Sequence, residues 1–203
     1  VIYNGVNTQY KALTIHEKEK VQQQLGFKEP YFLFVGSLHP RKNIHRLLQA
    51  FQLFAQMQKD FHLVIVGAAM WKDQSFEIES ELAKRIHFKG HVQTDTLANL
   101  MGAATAFIYV PYFEGFGMPL AEAMAAQIPI ITGNKSCLPE IADNAALYVD
   151  PFDVDAIAKS MQQLKNDVAL QTKLVEAGKK RVLAFNWDHA AQKVWQEILQ
   201  LVS

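Results

Sequence analysis

A single cysteine, Cys137, stands among 203 residues. An internal disulfide is therefore impossible, and so is a cysteine metal cluster. Charge of one sign is also missing, because twenty Lys+Arg balance twenty Asp+Glu. No net field draws the chain toward nucleic acid or an acidic membrane surface. No apolar run approaches the roughly 20 residues that span a bilayer. The dinucleotide fingerprint G-x-G-x-x-G and the Walker pattern G-x-x-x-x-G-K-[ST] are both absent, which weakens dinucleotide and Walker-type readings. The start, Val1-Ile2-Tyr3-Asn4-Gly5-Val6-Asn7, has no signal-peptide character. It opens without Met on a strand-like segment, and the expectation is a cut inside a longer protein.

What is present is an ordinary globular composition, half apolar and one fifth charged. The length suits one domain over residues 1–203. Short, continuous apolar runs occur at Tyr31–Val35, His62–Val66, Ile86–Phe88, Ala106–Val110, Ile128–Thr132 and Ala146–Val149. Such runs suit strands buried on both faces. Helical stretches separate them. Thr14 with Glu17 reads as a capping box for a helix ending near Gly26. Asn43 precedes an amphipathic run, Thr94 or Asp95 can cap a helix ending near Gly102, and Asp153 can cap Val154–Leu164. Residues 167–202 read as helical, with a break near Phe185-Asn186-Trp187. Alternating strands and helices predict an α/β, Rossmann-like doubly wound parallel sheet. Ligands of such sheets sit beyond the carboxyl ends of the strands.

Two segments fall there. Gly36-Ser37-Leu38-His39-Pro40-Arg41-Lys42-Asn43 combines a flexible turn, two cations and a helix start, which together make an anion site. A solvated basic turn is the plain alternative. Glu114-Gly115-Phe116-Gly117-Met118-Pro119-Leu120-Ala121-Glu122 carries Pro119 at a helix start and two glycines that let backbone approach a ligand. Glu114 belongs to the loop and Glu122 to the helix. Carboxylates accept hydrogen bonds strongly and suit a hydroxyl-rich ligand.

These motifs resemble those of the retaining GT-B glycosyltransferases, in which two glutamates are separated by seven residues, as Glu114 and Glu122 are here. Supporting segments follow in family order: N-G-V-N at 4–7, F-V-G-S-L-H-P-R-K-N at 34–43, L-V-I-V-G at 63–67, F-K-G-H-V at 88–92 and L-P-E-I-A-D-N-A-A-L-Y-V-D-P at 138–151. The resemblance implies the C-terminal, donor-binding domain of a two-domain enzyme, with an N-terminal acceptor domain elsewhere. It implies that Glu114 contacts the donor sugar as the catalytic carboxylate. The backbone of Gly115, Phe116 and Gly117 would hold sugar and phosphate, with Met118 at the helix start. Glu122 would bind the ribose beside Leu120, Lys42 would neutralise the diphosphate, and the turn to Val92 would lie near the base. Where many relatives carry Arg after the glycine, this chain has Ser37, and Arg41 is expected to supply that cation.

The implied ligand is a GDP- or UDP-sugar of mannose or glucose type, passed to a glycan or lipid-linked acceptor. Neither a metal nor a separate cofactor is expected, nor is a nucleic-acid partner. The implied location is cytoplasmic, with the whole protein possible at the inner face of a membrane. A noncatalytic nucleotide-binding module and a GT-B nucleotide-sugar epimerase are the alternatives.

Other signals are set aside. Asp153-Val154-Asp155 matches a D-x-D metal motif but reads as a helix start. The histidines are not expected to form a zinc site. His39 can touch phosphate or simply face solvent. Cys137 lacks a nucleophile's partners, Met118 and Met124 read as packing, and Trp187 and Trp195 read as core or interdomain anchors.

Overall fold

Tyr31–Val35 is five apolar residues, all buried, and this segment is the middle of the sheet. The computed structural model describes residues 1–68, 76 and 78–202. Its elements run α1 (Ile15–Leu25), β1 (Tyr31–Val35), α2 (Ile44–Met57), β2 (His62–Val66), α3 (Ser80–Ala83), β3 (Ile86–Gly90), α4 (Thr94–Ala103) and β4 (Ala106–Tyr109). They continue with α5 (Met118–Ala125), β5 (Ile130–Gly133), α6 (Leu138–Ala142), β6 (Leu147–Val149), α7 (Val154–Asn166), α8 (Val168–Arg181) and α9 (Trp187–Val202). The strand order is β3-β2-β1-β4-β5-β6, and every pairing is parallel. This is the doubly wound sheet expected from the alternation. The chain winds outward from β1 in both directions, so the crevice for a ligand opens where β1 and β4 part.

Right-handed crossovers place helices on both faces. On one side α2 packs on α7; on the other, neighbours run from α1 to α4, α5 and α8. Phe32, Phe54 and Phe61 interlock in the core, with ring centroids 5.0–5.2 Å apart.

Local signals largely decide the boundaries. The Thr14 hydroxyl accepts from Glu17 N–H, Glu17 Oε2 accepts from Thr14 N–H, and Gly26 ends α1 in the left-handed region. Asp153 Oδ1 accepts from Ala156 N–H at 2.8 Å, as a helix start requires. Four expectations are corrected. Neither Thr94 nor Asp95 caps α4, which begins after Gln93, and the Asp95 carboxylate takes the Gln9 side-chain amide instead. β4 stops before Val110, whose carbonyl is taken by the Asn43 side chain. β5 starts at Ile130, because Ile128 N–H closes the end of α5 on Ala123 O. Residues 1–7 form no strand. They are held by Val6 N–H on Phe185 O and by Trp187 against Gly5, where a Cβ would meet the indole at 2.4 Å.

The last helix is unlike the rest. Val194, Trp195, Ile198 and Leu199 share one face of α9 and are 44–60% exposed. Trp187 is 56% exposed, so neither tryptophan is a core residue. Among the described residues no helix is long and apolar enough to cross a membrane.

At the amino ends of β2 and β3, away from the crevice, His62 Nδ1 lies 2.7 Å from His87 Nε2. Phe27 stacks on both rings at 4.1 and 4.6 Å. Burial, foremost, pushes His87 down to about 4, and His62 and Lys89 add to it; His62 is lowered by burial too, against the pull of Glu29. His87 and His91 stand four apart, a spacing that serves zinc on a helix, but His87 lies on a strand and is committed to His62. A folded state that resists protonation holds its stability above the unfolded histidine value and loses it as pH falls. The unfolding free energy from urea titration is therefore expected to drop between about pH 6.5 and 4, by on the order of 1 kcal/mol after allowance for solvent screening of half-exposed rings. The drop should shrink in His87→Gln; an equal drop in both proteins would remove the pair as its cause.

Candidate functional site

The turn after β1 and the loop after β4 meet across the crevice. Pro40–Lys42 forms one 3₁₀ turn, capped by His39 Nδ1, which accepts from Arg41 N–H at 3.1 Å. The turn ends at Asn43, which adopts φ 61, a left-handed conformation that asparagine tolerates. Its side chain does not cap α2. The amide Nδ2 instead donates to Val110 O at 2.9 Å and Pro151 O at 2.7 Å, tying three loops together. Arg41 O accepts from Tyr112 N–H, which closes the same junction.

This junction points Lys42 inward. Only 7% exposed, its ammonium lies 2.6 Å from Glu114 Oε1 and 2.6 Å from the Tyr109 hydroxyl. The basic turn is thus not a solvated one at Lys42, although Arg41 beside it is exposed. Lys42 and Glu114 are 72 residues apart, and the switch point of the sheet is what unites them. The Glu114 peptide is fixed as well: its N–H donates to Ser136 Oγ at 3.2 Å, and its carbonyl accepts from Ser136 Oγ at 2.7 Å and Cys137 Sγ at 3.2 Å. Burial raises the Cys137 thiol, which keeps it a neutral donor to that carbonyl.

Gly115 is exposed, with open space where a Cβ would stand. Gly117, at φ 84, starts α5 where other side chains would be strained. Phe116 turns its ring away to Tyr3 and Phe185, at 6.2 and 5.7 Å, leaving only its backbone toward the crevice loop. Met118 is half-buried and Leu120 fully buried, packed under Gly117. Leu120 shapes the loop from below, rather than standing beside a ligand with an open side chain. Val92 lies apart from the Lys42–Glu114 pair, in a cleft of about 130 Å³ lined with Val21, Leu25 and Leu100.

Glu122 is half-buried on α5, near buried Tyr10. Burial raises the Glu122 carboxyl above its usual range, and the nearby Tyr10 hydroxyl partly offsets that. A buried tyrosine thus stands near each glutamate, Tyr10 by Glu122 and Tyr109 by Glu114, and neither was marked in the sequence. Asp153 is committed to its helix start, and among the described residues no group of three metal-ligating side chains converges.

Over most of its length the chain matches a known family. The family model described as glycosyl transferases group 1 matches residues 16–181. The chain belongs to the group 1 glycosyl transferases.

Among curated members, it is 34% identical over 163 residues to O-antigen chain mannosyltransferase B of Escherichia coli, covering 78% of this chain and 43% of that protein. It is 31% identical over 197 residues to the O-antigen chain mannosyltransferase RfbU of Salmonella typhimurium, covering 96% and 51%. The chain thus spans about half the length of these curated group 1 relatives. Anabaena HepE, solved in complex with UDP-glucose, superposes with a TM-score of 0.86 at 20% identity, over 98% of this chain and 57% of that one. That likeness shows the GT-B glycosyltransferase fold.

Proposed function

We propose that this chain is the donor-binding half of a retaining glycosyltransferase that moves a hexosyl group, of mannose or glucose type, from a GDP- or UDP-sugar to a glycan or lipid-linked acceptor. The observation that carries the reading is the Lys42–Glu114 pair, 2.6 Å apart at the switch point and opposite the start of α5. Lys42 and Arg41 supply positive charge for the diphosphate, and the Gly115–Gly117 backbone and the α5 N-terminus supply N–H groups. As the anomeric carbon–oxygen bond breaks, its electron pair goes to the phosphate, where these groups stabilise the growing charge. Glu114 faces the sugar and Glu122 the ribose. The acceptor hydroxyl comes from a second domain. The exposed apolar face of α9, with Trp195 at its centre, is the surface offered to that domain. The whole protein works in the cytoplasm, at the inner membrane face when the acceptor is a lipid.

No metal takes part in this scheme. The anion site is built from cations and backbone, and Asp153 is spent on Ala156. A thermal-shift titration with UDP, GDP, UDP-glucose and GDP-mannose tests the reading, because a ligand of the native state raises its apparent stability. At least one nucleotide sugar should raise the midpoint, EDTA should leave that rise unchanged, and the chain alone should transfer no sugar. A rise abolished by EDTA and restored by Mn²⁺ would put a metal at the site, and efficient transfer by this chain alone would overturn the half-enzyme reading.

A further inference from the structure

Tyr109 closes β4 with no exposed surface, its ring 5.6 Å from Phe107 and 6.0 Å from Phe34. Phenylalanine would fill such a place equally well by packing alone. A hydroxyl taken out of water costs stability unless it is hydrogen-bonded, so its partners are informative. The oxygen accepts from Lys42 Nζ at 2.6 Å. Lys42 donates in turn to Glu114 Oε1 at 2.6 Å, and its ammonium sits 5.1 Å from the Tyr109 ring centre. Lys42 thus bridges the phenol and the carboxylate. Burial, above all, and the nearby Glu114 charge hold the phenol well above its ordinary range, so it stays neutral.

We infer that Tyr109 is the positioning residue of the donor site, fixing the Lys42 ammonium beside Glu114 at the junction of sugar and phosphate without touching the ligand. The inference rests on the donor reading above. A lysine ammonium has three protons. Tyr109 and Glu114 take two and leave one for a phosphate oxygen. Lysine also ends a flexible four-carbon stem, so two partners at the right spacing hold it where one carboxylate would let it swing.

Tyr109→Phe deletes one oxygen and keeps the ring. Titration calorimetry should be run on both proteins with nucleoside, nucleoside diphosphate and nucleotide sugar in the uridine and guanosine series. In the series that the wild type binds, nucleoside affinity should be unchanged, while diphosphate and nucleotide sugar weaken about five- to twentyfold. In Lys42→Met the same Tyr109→Phe change should cost almost nothing more for the diphosphate, because residues acting through one another are not additive. Unchanged affinities across the ladder, or additive losses, would overturn the assignment while leaving the donor reading in place. A wild type that binds neither series would overturn the donor reading and this inference with it. Should Tyr109→Phe lower the melting temperature sharply, the urea stabilities of Tyr109→Phe, Glu114→Gln and the double variant decide instead. Coupling supports the assignment, and additivity contradicts it.

Discussion

Lys42→Ala is expected to abolish most diphosphate affinity, on the order of a hundredfold, and to lower stability as well. Both effects have one origin. The ammonium is buried beside Glu114, whose side chain is 10% exposed. Removing one partner of a buried ion pair leaves the other charge unmatched, which typically costs about 3–5 kcal/mol. The binding loss is separable, because the cation acts on phosphate charge and not on base or ribose. Bare nucleoside should therefore bind Lys42→Ala as it binds the wild type. Lys42→Met, which keeps the apolar stem, should restore part of the stability and none of the diphosphate affinity. Urea unfolding beside nucleoside and diphosphate titrations checks each part. Equal losses for nucleoside and diphosphate would show general disruption, and full diphosphate affinity in Lys42→Met would take the cation out of the phosphate site.

The sheet was readable because strands buried on both faces appear as unbroken apolar runs, as Tyr31–Val35 and His62–Val66 do. The α1 and α7 starts were readable because their caps act within three residues. The loop with Glu114 and the turn with Lys42 were readable because glycine, proline and cations sit just after strands. Their meeting was not, since no local pattern spans 72 residues. The part played by Asn43 is decided only by tertiary contacts: asparagine suits both a helix cap and a left-handed turn, and Val110 and Pro151 choose the second. Tyr109 was hidden because an aromatic in a buried strand reads as packing, and its hydroxyl finds Lys42 only across the crevice. Tyr10 lies in a segment without periodicity, so nothing marks it until Glu122 is placed beside it. Phe116 and Leu120 were legible as neighbours of the site, but whether a side chain faces ligand or core is settled by packing.

The two glutamates should fail differently, and that difference carries the central claim. Glu114 lies next to Lys42 at the place assigned to the sugar, and Glu122 lies one element further along, against Tyr10. Losing a charged hydrogen-bond partner costs on the order of 1.5–3 kcal/mol, about ten- to a hundredfold in affinity. Glu114→Gln should spare the diphosphate, because the glutamine oxygen still accepts from Lys42, and remove the extra affinity of the intact nucleotide sugar. In the whole enzyme it should also slow turnover, since charge grows on the sugar as its bond to phosphate breaks. Glu122→Gln should weaken diphosphate and nucleotide sugar alike, and should weaken ribose nucleotides more than their deoxy analogues. Titration calorimetry of the wild type and both variants against nucleoside diphosphate and nucleotide sugar is the most direct measurement. The account predicts a loss confined to the sugar for Glu114→Gln and a loss shared by both ligands for Glu122→Gln. The reverse pattern, or two variants that bind as the wild type does, would contradict it.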